Sequence, residues 1–227
     1  MRVVTNDSLI SKKAAMVRNA MTTGLVLMAM AAVMAFSQRY IVYAYASLLV
    51  SFPLVSWSAR GATKWLRSPR PDQVLAKTLK SLDHSYQLYS HTLPVDNVLL
   101  CRKGLFALHV TTADGNITCR GDNWHRAFKL SRLLGLLAEE MLGNPGKKAQ
   151  VEAKRLSRFV AGQLPDTEVY VQPVVVFVDP GVKLEVSEPA VPAVLAGDLK
   201  AYLRDVNTSL TPPVFKAVGK LLNDQTS

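Results

Sequence analysis

VDNVLLCRKGLFALHVTTADGNI, residues 95–117, contains two apolar runs, 95–101 and 105–111, joined by a tight Arg102-Lys103-Gly104 turn, with one carboxylate, Asp96, heading the first. Short apolar runs with turn residues on both sides read as strands. Working outward, residues 85–92 (SYQLYSHT) precede Leu93-Pro94, and residues 116–120 follow Ala113-Asp114-Gly115. Both are further β-type runs set off by turn compositions. The expectation is an antiparallel meander with a hairpin at Asp114-Gly115.

Helical signals flank this centre. Ser68-Pro69-Arg70-Pro71 is a rigid stretch, after which Asp72 is placed to cap a helix carrying Val74, Leu75, Leu79 and Leu82 at helical spacing. Residues 127–142 (AFKLSRLLGLLAEEML) repeat leucine at helical spacing and stop at Gly143-Asn144-Pro145. Residues 147–164 form a second helix with a charged outer face. Residues 168–179 (EVYVQPVVVFVD) read as a strand buried on both faces, with Pro173 marking a bulge or its unpaired beginning. Residues 183–186 suggest a short edge strand, and 195–206 and 212–223 two closing helices, the last opened by Pro212-Pro213. This order describes an α/β sandwich around a mixed sheet.

The first quarter has another composition. Residues 19–38 and 40–59 are each twenty uncharged, mostly apolar positions separated by Arg39 alone. A helix needs roughly 20 such residues to cross a bilayer, so the pair reads as a transmembrane hairpin. Arg2, Lys12, Lys13 and Arg18 precede it and Arg60, Lys64, Arg67 and Arg70 follow, against Arg39 in the turn. That bias places both termini in the cytoplasm, as a two-span protein of a bacterial inner membrane. Trp57, Trp65 and Tyr40 sit where interfacial aromatics belong. A cleaved signal peptide ending near Ala44-Tyr45-Ala46 is the competing reading, opposed by the second apolar run and the cations after it. The expected organisation is a basic N-terminus (1–18), the hairpin (19–59), a basic linker (60–71), an α/β domain (72–206) and a C-terminal helix (207–227).

The net charge of +10 divides unevenly: residues 1–70 hold nine Lys/Arg and one Asp, leaving 18 basic and 16 acidic side chains beyond. Most of the basicity therefore belongs to membrane topology. A local excess remains in residues 102–158, with 11 basic and 5 acidic side chains, which suits a phosphate backbone or an anionic leaflet. Cys101 and Cys119 belong to no C-x-x-C pair and read as buried, reduced thiols. His84, His91, His109 and His125 lack the spacing of a zinc site.

The run from Asp96 through Gly104-Leu105-Phe106 to Gly115, followed by Trp124, Asn144-Pro145, Gln150 and the strand Val174-Val175-Val176-Phe177, resembles the nuclease-related domain (NERD) family. That family is of the restriction-endonuclease-like PD-(D/E)XK class, and the resemblance covers roughly residues 70–205. It implies a mixed sheet flanked by helices, here preceded by the membrane hairpin. It also implies an aspartate, then Glu-x-Lys on the next strand: two carboxylates hold Mg²⁺, and the lysine orients or deprotonates the attacking water. Asp96 matches the family aspartate, and Asp72 falls near an acidic position of the first helix. These two are the candidate metal ligands. The Glu and Lys positions are His109 and Thr111, which suit neither role, because imidazole is a poor Mg²⁺ ligand and a threonine hydroxyl carries no charge. Gln150 faces the old site or solvent, and Trp124 packs.

Three alternatives keep an active site open: a softer metal on His109, migration of the lost groups to Lys103, Glu152 or Asp114, or a different strand register. The leading expectation is a catalytically inactive pseudoenzyme serving as a binding or accessory module, with no cofactor. Its nucleic-acid contacts would come from Arg120, Arg126, Lys129, Arg132, Lys147, Lys148, Lys154, Arg155 and Arg158. The alternatives are a Mg²⁺- or Mn²⁺-dependent DNA nuclease with a rebuilt site, and a small accessory subunit of a membrane protein complex, for which the Ala-, Gly- and Ser-rich hairpin would supply close helix contacts.

Overall fold

The computed structural model describes residues 1–127 and 142–225. The expected helix at 127–142 lies, but for its two end residues, outside them, as do Lys129 and Arg132. The chain forms two compact units, one of residues 7–70 and one holding residues 1–6, 71–127 and the chain from 142 onward.

The larger unit is a mixed α/β layer structure. Its main sheet has six strands in the order β1-β2-β3-β4-β7-β9. These are β1 (Arg2–Thr5), β2 (Gln87–Ser90), β3 (Asn97–Cys101), β4 (Gly104–Thr111), β7 (Val171–Phe177) and β9 (Ala193–Leu195). β2, β3 and β4 are the antiparallel meander read from the sequence, whereas β1, β7 and β9 join in parallel. The hairpin expected at Asp114-Gly115 does not form. β5 (Gly115–Arg120) leaves for a second sheet, where it pairs with β6 (Asn123–Arg126) antiparallel and with β8 (Val182–Ser187) in parallel. The reason lies in β7: Val174–Phe177 are all buried, and β7 runs beside β4 from Leu105 to Thr111. With β3 on its other side, β4 has no free edge for β5.

Period-two alternation gives the main sheet two faces. Leu99, Cys101, Phe106 and Leu108 pack against Leu75 and Leu79 of α3 (Pro71–Leu79) and Leu199 and Leu203 of α5 (Leu199–Asp205). Val98, Leu100, Leu105 and Ala107 pack against Ala153, Leu156 and Val160 of α4 (Pro145–Gln163) and Val218 and Leu222 of α6 (Pro212–Asp224). The second sheet packs through Ile117 and Val182 against Ala149, Val175 and Phe177. Pro173 lies in β7 before the pairing with β9 begins at Val175, so its missing N–H deprives that ladder of nothing. Asp72 lies in the first turn of α3, one residue inside the helix it was expected to cap.

The smaller unit is a pair of long helices, α1 (Asp7–Met34) and α2 (Ile41–Trp65), joined through a 3₁₀ turn at Gln38–Tyr40. Both are long and apolar enough to cross a membrane. Their seam is built of heptad-spaced positions, Ile10, Val17, Gly24 and Ala31 on α1 and Ala44, Ser51 and Ser58 on α2. The approach is close: a Cβ at Gly24 would fall 2.6 Å from Val55 Cγ2, and one at Gly61 would fall 2.7 Å from Val17 Cγ2. Ser47 Oγ donates across the seam to the Leu27 carbonyl at 3.0 Å.

Candidate functional site

Strand alternation fixes which candidates can meet. His109 and Thr111 have the parity of Leu105 and Ala107, so they face α4. There the imidazole Nδ1 of His109 lies 2.8 Å from Oε1 of Glu152, with the two side chains 12% and 21% exposed. The remaining heteroatoms, His109 Nε2 and Glu152 Oε2, are buried and have no hydrogen-bond partner among the described residues. Thr111 is buried, and its Oγ1 accepts from the Ala113 amide at 3.2 Å where the chain leaves β4.

Asp96 closes the loop between β2 and β3. Its carbonyl accepts from the His91 amide at 2.7 Å, and its carboxylate Oδ1 lies 3.2 Å from His91 Nδ1. His91 holds a left-handed backbone, φ 58°, which this turn requires. The Asp96 carboxylate is 46% exposed. The Val98–Ala107 pairing, continued two residues beyond the ladder, sets Asp96 opposite His109 on the α4 face. Asp72, by contrast, is buried on α3, which packs on the other face. Gln150 is half-buried on α4. Among the described residues, no three His, Cys, Asp or Glu side chains gather so as to hold a metal ion.

The other groups weighed as replacements are engaged elsewhere. Lys103 donates to the carbonyls of Arg204 and Val206, capping the end of α5. Asp114 is paired with Arg126. Burial pushes the thiols of Cys101 and Cys119 up, keeping both neutral and poor nucleophiles.

α4 starts at a built junction. Asn144 caps it, its Oδ1 accepting from the Lys147 amide at 2.8 Å, while its Nδ2 donates to the Asp122 carbonyl at 2.9 Å. Pro145 occupies the first turn, where its missing N–H is harmless. Trp124 packs against Phe177 with ring centroids 6.0 Å apart and lies over Gly146. The outward side of α4 presents Lys147, Lys148, Lys154, Arg155 and Arg158, all exposed, with Val151 among them. At 3.6 residues per turn they fill an arc of about 120° along roughly 17 Å. Glu152, the single acid of α4, points inward to His109. Lys147 reaches Asp122 at 3.5 Å and Arg155 the Pro94 carbonyl at 3.4 Å, whereas Lys148, Lys154 and Arg158 have no partner among the described residues. Arg120 stands apart, exposed on the second sheet.

Sequence reading missed His91 as the partner of Asp96 and left Glu152 as one of three possible replacements. Its isolation as the one carboxylate in a basic helix was the available signal. No curated protein and no solved structure matches the chain. The family model for the nuclease-related domain does match, across residues 62–178. That span runs from the end of α2 through β7 and carries the Asp96 loop, β4 and the Asn144-Pro145 junction. It covers more than half of the sequence, and the chain belongs to the nuclease-related domain (NERD) family.

Proposed function

We propose that this is a two-span membrane protein whose NERD domain no longer cleaves phosphodiesters by the Mg²⁺ chemistry of the PD-(D/E)XK class and instead binds nucleic acid. The observation that carries the binding is the outward face of α4, five cations without an acid, in the helix that also closes the former site. A phosphate backbone is the polyanion whose repeating charge such a stripe matches.

The residues of the inner face do not fit Mg²⁺. That ion wants several oxygen ligands in an octahedron. Here an imidazole stands at the Glu position and holds one oxygen of Glu152, the Asp96 carboxylate is turned to His91, and Asp72 lies beyond the sheet. At the Lys position, Thr111 offers a hydroxyl already used by a backbone amide.

The membrane part of the proposal draws on an inverted polarity. From Gly24 onward the buried positions of the seam are small, Gly24, Ala31, Ala44, Ser51, Ser56 and Ser58, while Val33, Val42, Leu49, Val50 and Phe52 face outward and are more than half exposed. A water-soluble pair buries its large apolar groups and exposes its small polar ones. The opposite arrangement suits lipid. The pairing of β1 with β2, which puts the segments before and after the hairpin in one folded unit, supports their lying on the same side. The flanking cations favour the cytoplasm as that side.

A second reading has one observation in its favour. The buried Nε2 of His109, without a hydrogen-bond partner among the described residues, is the kind of ligand that Mn²⁺ or Zn²⁺ takes, and a rebuilt nuclease site would use it.

The test uses the full chain in uncharged lipid nanodiscs. Fluorescence anisotropy with duplex DNA, single-stranded DNA and RNA is followed as salt is raised, and the same substrates are incubated with Mg²⁺, Mn²⁺ or Zn²⁺. Salt-sensitive binding without cleavage is expected. Absence of binding at low salt overturns the binding role, and cleavage lost in His109→Ala overturns the inactive site. Protease protection of terminal tags in inverted vesicles checks the topology: both tags are expected to be cut.

A further inference from the structure

The second sheet packs one face on Phe177 and Val175 and leaves the other face polar. Thr118 and Arg120 of β5, Asn123 and His125 of β6, and Glu185 and Ser187 of β8 line a cleft of about 420 Å³ on that face. Register sets them in two rows. His125 and Glu185 flank Thr118, and Asn123 and Ser187 flank Arg120. Neighbours within a row are about 4.8 Å apart, and the rows are about 6.7 Å apart along the strands. None of the six side chains makes a hydrogen bond or ion pair with another described residue. Five are exposed and Thr118 is half-buried.

The two rows make different demands on a ligand. A guanidinium between a carboxamide and a hydroxyl presents donors to a tetrahedral anion, and the guanidinium fork matches phosphate oxygens two at a time. The neighbouring row offers a carboxylate, which accepts hydrogen bonds from hydroxyl groups and takes a ribose diol well. Glu185 is diagonal to Arg120 and forms no ion pair with it, so both charges remain open to a ligand. Inorganic phosphate would satisfy only the first row, and a plain sugar only the second. The cleft falls within the size range of small-molecule sites. No Phe, Tyr or Trp lines it, and the one ring among its lining residues is the small imidazole of His125, so stacking contributes little to the choice of base.

We infer that this polar cleft is a second ligand site, distinct from the His109–Glu152 pair, for a ribonucleoside 5′-phosphate, with Arg120 on the phosphate and Glu185 on the ribose hydroxyls. The same chemical group occurs as a free nucleotide and as the phosphorylated 5′ end of an RNA strand. The inference is independent of the nucleic-acid role given to α4.

Isothermal titration of the full chain in nanodiscs tests it. The probes are adenosine 5′-monophosphate, its 2′-deoxy analogue, inorganic phosphate, and a short RNA with and without a 5′-phosphate. The RNA arms use a Lys148→Ala/Lys154→Ala/Arg158→Ala background so that α4 does not mask the site. Saturable ribonucleotide binding is expected, weakened at least tenfold by Arg120→Ala and less by Arg120→Lys, with the preference for ribose over deoxyribose lost in Glu185→Gln. Binding of the free nucleotide alone identifies a small-molecule site, and binding of the phosphorylated RNA alone identifies an end-recognition site. Either result supports the cleft. Phosphate binding as tightly as the nucleotide, nucleotide binding unchanged in Arg120→Ala, or no binding by any probe at millimolar concentration overturns it.

Discussion

The imidazole of His109 and the carboxylate of Glu152 meet at 2.8 Å across 43 positions of sequence, joining the central strand β4 to helix α4. The two side chains are largely buried between the sheet and the helix. Glu152→Ala is expected to destabilise the domain by about 1–3 kcal/mol, because it removes the acceptor of a buried imidazole nitrogen and leaves His109 without a hydrogen-bond partner among the described residues, while alanine keeps the helix intact. Glu152→Gln keeps an acceptor and should cost less. Denaturant unfolding of the full chain in detergent, followed by tryptophan fluorescence, measures both. Equal losses would show that the pair does not act through its hydrogen bond.

Phosphate contacts on α4 should appear in the salt dependence of binding. Each cation that engages a phosphate contributes about 0.7–0.9 to the slope of log K against log salt. The triple variant Lys148→Ala/Lys154→Ala/Arg158→Ala is expected to lower the slope by about 2–3. Lys147→Ala alone should do less, since that ammonium already faces Asp122. An unchanged slope would move the binding surface off α4.

The start of α4 should respond to small changes at Asn144 and Gly146. Asn144→Ala removes a helix cap and the tie to Asp122, and is expected to cost about 1–2 kcal/mol. At Gly146, an added Cβ would meet Trp124 Nε1 at 3.3 Å and Asn144 Oδ1 at 3.4 Å. Gly146→Ala should therefore shift tryptophan emission and lower the unfolding midpoint, although alanine favours helix in open surroundings. A stabilised Gly146→Ala would show that the indole yields freely.

Tyr89 predicts the alkaline behaviour. Burial pushes its phenol up to about 12 from the ordinary 10.0, and its hydroxyl lies 2.7 Å from Gln87 Oε1 and 3.0 Å from Asn223 Oδ1. The neutral form is the one the fold accepts. Its contribution is complete below about pH 10, where the unfolded phenol titrates, and is lost as pH rises through the folded value. Tyr89→Phe is expected to cost about 1 kcal/mol at neutral pH and to flatten the loss of stability above pH 10. Circular dichroism across pH 8–12 checks this, and an identical alkaline limb in the variant would remove Tyr89 from the account.

The elements legible in the sequence were those whose burial is written in local pattern. The apolar runs of β3, β4 and β7, the leucines of α3, and the proline starts of α4 and α6 all lie within a few residues of expectation. β5 was legible as a strand, but its partner was not, because the competition for the edge of β4 is decided by β7, far along the chain. Residues 123–126 (NWHR) and 2–5 (RVVT) are short and lack a sustained alternation, so β6 and β1 exist through pairing and leave little local trace. The candidate site was half legible. Positions 109 and 111 follow from strand parity, whereas the joining of His109 to Glu152 depends on how α4 lies on the sheet.

β1 also sets an order of events in biosynthesis. Residues 2–5 leave the ribosome before either long helix, and their partner β2 emerges only after both. The sheet therefore cannot be completed until both long helices have been made. Until its first strand covers it, that side of β2 is a bare edge, open to aggregation and proteolysis. β1 thus makes the finished sheet wait on synthesis of the whole helical pair.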